Sequence, residues 1–445
     1  MLIWSTPGDP SYDGDRRGLT ASAVVPDLHP AAVARVSSAE DVRSALARAA
    51  TEGLVVTCRS GGHSAAFSML RAGMLALDLS GLDAIEVDLA AGTAVVGPGA
   101  GSLTVARALQ GSGWSFPVGH RAGVALGGFL LAGGNGWNQG EWGSAVESVV
   151  AADVLLADGR AVRLSRITDP EAFDLLRGVG PGFPGIVTGF DLRLWPEPVV
   201  RRRIVSFPST RVASVGAWAD HLASAIDPAV ELTVFLAPPG SPMHPDLDQV
   251  ALTVAVTAFA ADGTAGEALL AVVDDTTPAG GRVAYAGGSD LPTMLEMETA
   301  PPGLGLAFQQ AWSTSTYADL LPPLVPAMAA APSIWSSILV SSSSYRRAAA
   351  PATDPAYLPL GTLTVAPYAN WLPGERDDEA RDWPTATVDV LREHWTGHYV
   401  GEVDLLRTPD RLAACFRPGV LDRLAVLRAR LDPDGRFATH PGDSR

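Results

Sequence analysis

Val118-Gly119-His120-Arg121-Ala122-Gly123-Val124-Ala125-Leu126-Gly127-Gly128-Phe129-Leu130-Leu131-Ala132-Gly133-Gly134-Asn135-Gly136 is the stretch on which the fold turns. Two Gly-Gly pairs stand six residues apart in it, with apolar residues between. Ordinary surface loops are polar, so an apolar run this dense in glycine calls for another account. Its backbone either runs close against a large flat ligand, where a Cβ would clash, or packs tightly against another helix or strand.

Upstream lies a second glycine loop, Arg59-Ser60-Gly61-Gly62-His63-Ser64. Residues 54–58 read as a short buried strand that delivers it. Two adjacent glycines let successive backbone N–H groups point at one anion, and Arg59 adds a fixed positive charge. That chemistry suits a pyrophosphate. No GxGxxG opens a helix here, so the loop is not a Rossmann fingerprint. On its own, a plain turn is the commoner meaning of such a loop.

The rest of the chain bounds the problem. Its 445 residues suggest two or three domains, and 47% hydrophobic against 18% charged residues is ample for a core. The net charge of −16 disfavours nucleic acid and anionic membranes as partners. The sequence has no lysine, which excludes a Schiff base, a P-loop lysine and a pyridoxal anchor. Two cysteines, Cys58 and Cys415, make neither a disulfide framework nor a CxxC site. The N-terminus has no basic start followed by an apolar run, and no span of about 20 apolar residues occurs. A cytoplasmic enzyme, monomer or homodimer, is the expectation.

Strands and helices interleave over the first ~195 residues. A helix is expected over 39–50, with Ser38 as N-cap and Gly53 ending it. Strands are expected at 74–79, 84–88 and 93–96, a helix over 102–111, and a hairpin through Asp158-Gly159. After Trp195-Pro196-Glu197-Pro198 the texture changes. Strands at 204–207, 231–236, 250–259, 333–344 and 360–368, with a proline-interrupted helix over 318–331, suit an antiparallel sheet covered by helices. A last helix is expected over 419–430. The boundaries are set at 1–198, 199–370 and 371–445.

Taken in order, these pieces resemble the vanillyl-alcohol oxidase superfamily with its PCMH-type FAD-binding domain. More narrowly, the chain is similar to the berberine-bridge-enzyme-like oxidases. The resemblance runs through Pro10-Ser11-Tyr12-Asp13, the loop 59–64, Leu77-Asp78-Leu79-Ser80, Val96-Gly97-Pro98-Gly99-Ala100 and the glycine stretch. It continues through Ala157-Asp158-Gly159-Arg160, Leu176-Arg177-Gly178, Phe183-Pro184-Gly185-Ile186-Val187-Thr188, and the tail 431–437. Tyr368-Ala369-Asn370-Trp371 resembles a family Tyr-x-Asn segment. It implies an α+β fold: a two-subdomain FAD-binding domain plus a substrate domain. Residues 200–365 resemble nothing closely enough to name a substrate.

The resemblance also implies roles for individual residues. By it, His63 takes the place of the histidine that forms an 8α-histidyl bond to FAD. The cysteine that supplies a second tether in many relatives appears as Arg121, so a single covalent bond is expected. Arg59, Ser60, Gly61, Gly62, Ser64, Gly119, His120, Gly123, Val124, Gly127, Gly128, Gly133, Gly136 and Val187 fall at FAD-binding positions. Val124 matches a position that influences oxygen access to the flavin. Phe129 replaces a family histidine, an insertion disturbs Gly182-Phe183-Pro184-Gly185, and Phe416-Arg417-Pro418-Gly419-Val420 blurs the closing motif. These departures fall at flavin-facing or substrate-facing positions and point to an unusual reaction.

Oxidation removes a hydride and often a proton, so a base is needed. Tyr368 is the first candidate, with Asn370 fixing it or binding substrate, and Arg121 stabilising negative charge on reduced flavin. Glu231 is read as a solvated strand-end glutamate with a pocket position as the alternative. Glu296 and Glu298 rank lower, and Trp312 and Tyr317 serve as pocket wall or core. His394 and His398 do not make a metal site. The acidic run 375–379 reads as an exposed loop. The implied function is an FAD-dependent oxidase passing electrons to O2 and releasing H2O2, in natural-product tailoring. A protein that reoxidises a reduced drug or quinone, or a non-redox cyclase with FAD as a prop, is the alternative.

Overall fold

In this computed structural model, residues 2–297, 301–342, 354–374 and 376–442 are described. Glu298, Glu375 and residues 343–353 lie outside them.

The N-terminal half is built mainly on two small sheets. One orders Ile3–Ser5, Ala32–Arg35, Leu75–Asp78 and Val56–Arg59, with the last three strands parallel. Ala39–Glu52 is the helix between two of them. Ser38 accepts from the Asp41 N–H, Gly53 ends the helix in the left-handed region, and Val42, Ala45, Leu46 and Ala49 are buried. They pack with Leu75 and Leu77 in one apolar cluster. The other sheet is antiparallel, in the order Ile85–Asp88, Thr93–Val96, Ile186–Arg193, Val149–Leu155 and Ala161–Ser165. Its Val149–Leu155 and Ala161–Ser165 strands form the expected hairpin, with Gly159 at φ +81.

One helix here has no sequence signal. Leu126–Ala132 lies inside the glycine stretch. Its propensity is poor, because two of its first three residues are glycine. Its start is held from outside: Leu126 N–H donates to the Ala100 carbonyl and Gly127 N–H to the Pro98 carbonyl, both 2.9 Å.

The second half is a nine-stranded antiparallel sheet. Its path is Arg282–Ser289, Val199–Pro208, Ala251–Ala260, Val230–Ala237, Ser337–Ser342, Leu363–Trp371, Ala311–Ser313 and Trp395–Gly397, with Gly305–Phe308 pairing Leu363–Trp371. Alternation along the strands divides its two faces. Leu232, Val234, Leu252, Val254, Val340 and Val365 face a core closed by the helices Val212–Ala225, Gly263–Thr276 and Tyr317–Ala329. The first of these helices is alanine-rich.

Tyr317–Ala329 was expected to be interrupted, yet it carries Pro322, Pro323 and Pro326 within one continuous helix. Each proline removes a backbone donor. A capping box between Thr316 and Asp319 starts the helix, and the Asp220 carboxylate accepts from Tyr317 and Ala318 N–H at 2.7 and 3.0 Å. Burial of Leu320, Leu321, Leu324 and Met328 offsets the missing bonds.

The C-terminal stretch is divided between the halves. The acidic run is not a loop: Asp377, Asp378 and Glu379 form the first turn of the helix Asp377–Asp389, where their charge meets the positive end of the dipole. That helix packs on Leu363–Trp371 and Gly305–Phe308. The helix Val420–Leu431 packs instead on Pro170–Leu176, and Phe437 joins the first apolar cluster. Among the described residues no helix is long and apolar enough to cross a membrane.

Candidate active site

The open face of the nine-stranded sheet and the glycine loops of the first half enclose one large cleft. The first wall holds residues 56–64, Gly119, His120, Arg121, Val124, Gly127, Gly128, Gly136, Gly185, Ile186, Val187 and 437–439. The second holds the side chains that alternate away from the helix-covered core.

The two glycine loops meet each other. A Cβ on Gly61 would lie 2.7 Å from the Ala125 nitrogen and 2.8 Å from the Gly123 carbonyl oxygen. One on Gly127 would collide with Ser60 Oγ and Pro98. Gly62 sits at φ +77 against the Leu19 carbonyl, and Gly136 against Pro117. Most of these glycines therefore serve protein-to-protein packing, and the ligand-contact account narrows to few positions. Gly128 is one: a Cβ there would meet nothing within 4 Å, and the residue lines the cleft. Gly123 and Gly133 are not in the lining. Gly133, at φ +123, packs on the Tyr357 ring.

At the loop 59–64, no described residue accepts a hydrogen bond from the backbone N–H of Gly61, Gly62, His63 or Ser64. Unused donors on a cleft wall suit an anionic group. Arg59 lines the same wall, though its charge is shared with Asp78 at 3.0 Å. These donors and the open face at Gly128 fit a dinucleotide such as FAD.

His63 projects into the cleft and bonds to the Gly123 backbone. Burial, then the charges of Arg121 and Arg59, pull its pKa down to about 4. The imidazole is therefore neutral at pH 7 and keeps a lone pair. Burial pushes the Cys415 thiol up to about 12. Cys58 opens onto the cleft, on the strand that leads into the loop.

From the opposite wall, Tyr368 donates its hydroxyl to Glu402 Oε1 at 3.0 Å. The Arg121 guanidinium lies 4.8 Å from the centre of the Tyr368 ring. Burial raises the pKa of both Tyr368 and Glu402; the Glu402 carboxylate raises Tyr368 further, and Arg121 opposes both shifts. Phe308 stacks on Tyr368 from the adjoining strand, with ring centres 5.4 Å apart.

Other candidates fall differently. Glu231 is in the cleft and not a solvated strand end. Its Oε1 accepts from the backbone of Asn138 and Gln139, and its Oε2 lies 3.8 Å from His120 Nε2. Asn370 lines no part of the cleft; its amide donates to the Trp335 carbonyl at 3.3 Å. Trp312 is a wall residue, whereas Tyr317 is buried in the helix-covered core and bonds to the Leu232 carbonyl. Glu296 pairs with Arg107 at the surface. His394 bonds to Ser315, and His398 bonds to the Gln310 carbonyl.

Glu402, Tyr399 and Tyr357 carried no sequence signal. Tyr399 accepts from Gly134 N–H at 3.1 Å, and Tyr357 donates to Asn135, so both hold the second Gly-Gly pair. Their link to the glycine stretch exists only in three dimensions.

Residues 30–165 match the family model described as an FAD binding domain. The FAD-linked oxidoreductase janO of Penicillium janthinellum is 32% identical over 53% of this chain and 52% of its own length. For ptmO of Penicillium ochrochloron, also an FAD-linked oxidoreductase, the figures are 30%, 67% and 64%. The chain thus spans about half to just under two thirds of the length of these curated relatives. Among solved structures, Physcomitrella patens BBE-like 1 superposes with a TM-score of 0.84 at 17% identity, covering 100% of this chain and 98% of that one. The 6-hydroxy-D-nicotine oxidase of Arthrobacter nicotinovorans gives 0.81 at 20%, covering 100% and 97%. The berberine bridge enzyme of Eschscholzia californica gives 0.81 at 17%, covering 99% and 96%.

Proposed function

We propose that this chain, which carries an FAD binding domain in the fold of the berberine-bridge-enzyme-like flavoproteins, is an FAD-linked oxidase of a small organic substrate. O2 is the final electron acceptor and H2O2 the by-product. When bound, FAD supplies the hydride acceptor. The observation that carries the reading is the half-buried Tyr368–Glu402 pair facing the His63 wall across the cleft, with Arg121 against the tyrosine ring.

The chain's own residues then divide the work. Tyr368 takes the substrate proton at its phenolic oxygen as its own proton passes to Glu402 Oε1. Arg121 lowers the energy of negative charge on the ring. His63, neutral and held by Gly123, serves as the single covalent tether. The unused N–H groups of 61–64 receive the pyrophosphate. Apolar walls exclude water from the reacting centre. The fungal FAD-linked oxidoreductases among the relatives support a tailoring role in natural-product biosynthesis.

The test is anaerobic reduction of the purified yellow protein by a panel of benzylic and allylic alcohols and secondary amines. With whichever compound bleaches the flavin, Tyr368→Phe is expected to slow bleaching by roughly 10²- to 10⁴-fold with flavin content unchanged. Equal rates in wild type and Y368F contradict the assignment.

A further inference from the structure

The open sheet face carries a floor of small side chains. The strand registers put Ala255 opposite Thr233, Thr233 opposite Ser341, and Ser341 opposite Thr364. All four line the cleft. They form one row across four neighbouring strands, and at the strand spacing of a sheet that row is ~14 Å long. Its far end is closed by Trp312, which pairs with Thr364 and is buried. One row further along the strands stand Phe235 and Leu339, paired with each other. On the other side, Glu231 pairs with Thr257. Small residues thus run between a bulky apolar edge and a polar edge.

The floor makes little polar demand. Thr233 and Ser341 hydroxyls bond to each other at 3.0 Å, and Thr364 accepts from Gln310 Nε2 at 2.7 Å. A carbohydrate would bring many donors and acceptors to a floor that offers three hydroxyls, each already in one hydrogen bond, and burying the rest unmatched is costly. A flat ring system loses nothing there and gains by contact.

We propose that the substrate is a rigid, flat, largely apolar polycycle, about three to four fused rings long on the ~14 Å floor, lying across the strands. Its polar long side faces the Glu231 edge. This rests on the oxidase reading and adds the class of molecule it acts on.

Binding is read as a shift in the visible absorption of the oxidised yellow holoprotein. The probes are benzyl alcohol, 2-naphthalenemethanol, 2-anthracenemethanol and cellobiose. Affinity is expected to rise at least 100-fold from the one-ring to the three-ring alcohol, with no shift from cellobiose. Ala255→Leu and Ser341→Leu raise the floor from two different strands. Each is expected to cut the ratio of three-ring to one-ring affinity at least tenfold. Affinity independent of ring number, cellobiose binding as tightly as the anthracene alcohol, or a ratio unchanged in the variants overturns the proposal. If neither variant folds, the wild-type series decides. A protein that takes up no FAD refutes the flavoprotein reading instead; a yellow protein blind to ring number refutes only the floor.

Discussion

At the scale of single residues, the chemistry rests on groups moved off their ordinary protonation behaviour by burial. His63 is the clearest. Its pKa of about 4 comes from burial and two arginines. A histidine must be unprotonated to act as a nucleophile, so covalent uptake of FAD by refolded apoprotein should stay constant from pH 8 to about 5. It should halve near 4, measured as protein-bound absorbance after denaturation; a midpoint near the ordinary value of ~6.5 contradicts the assignment. Glu402 makes a second case. Glu402→Gln keeps the shape but cannot take the tyrosine proton, so flavin reduction should slow by about 10²-fold with flavin content unchanged. His63, Arg121 and Tyr368 were legible because each sits in or beside a motif that can be read in one dimension. Glu402 was not, since its role depends on Tyr368, 34 positions away.

At the scale of elements, the glycine stretch is where reading and structure part. Composition could not say whether its glycines meet a ligand or the protein itself. The structure separates them, and the separation can be measured. Gly61→Ala drives a Cβ into backbone atoms of 123 and 125 and should destabilise the fold by about 1–3 kcal/mol in urea titration. Gly128→Ala stands on a helix in open space, so it should leave stability level or raise it by up to ~1 kcal/mol while weakening FAD uptake. If Gly128→Ala unfolds the protein and Gly61→Ala does not, the packing account is wrong. The strands of the second half were legible from their alternation, which splits the core face from the cleft face. The helix Val212–Ala225 was not, because alanine marks neither face. The continuous proline-bearing helix owes its start to Asp220, a partner 97 residues upstream of Tyr317. Asp220→Ala should cost about 1–2 kcal/mol, again by urea titration.

At the scale of the whole molecule, neither half makes a site alone. The glycine loops supply unused donors and a neutral imidazole; the sheet supplies Tyr368 and the floor, and the turn beyond Trp395–Gly397 supplies Glu402. A ligand that fills such a cleft stabilises the folded chain by mass action, and a tether removes the dependence on its concentration. His63→Ala should therefore melt at a temperature that rises with added FAD, whereas wild type should not respond. A wild-type melting point that climbs with FAD argues for a cofactor held without a bond. The most direct measurement is to denature the purified protein, wash it, and record the visible spectrum of polypeptide and supernatant. Yellow colour is expected to stay with the wild-type chain and to leave with the supernatant from His63→Ala. Colour lost equally from both, or a chain that never takes up flavin, contradicts the account.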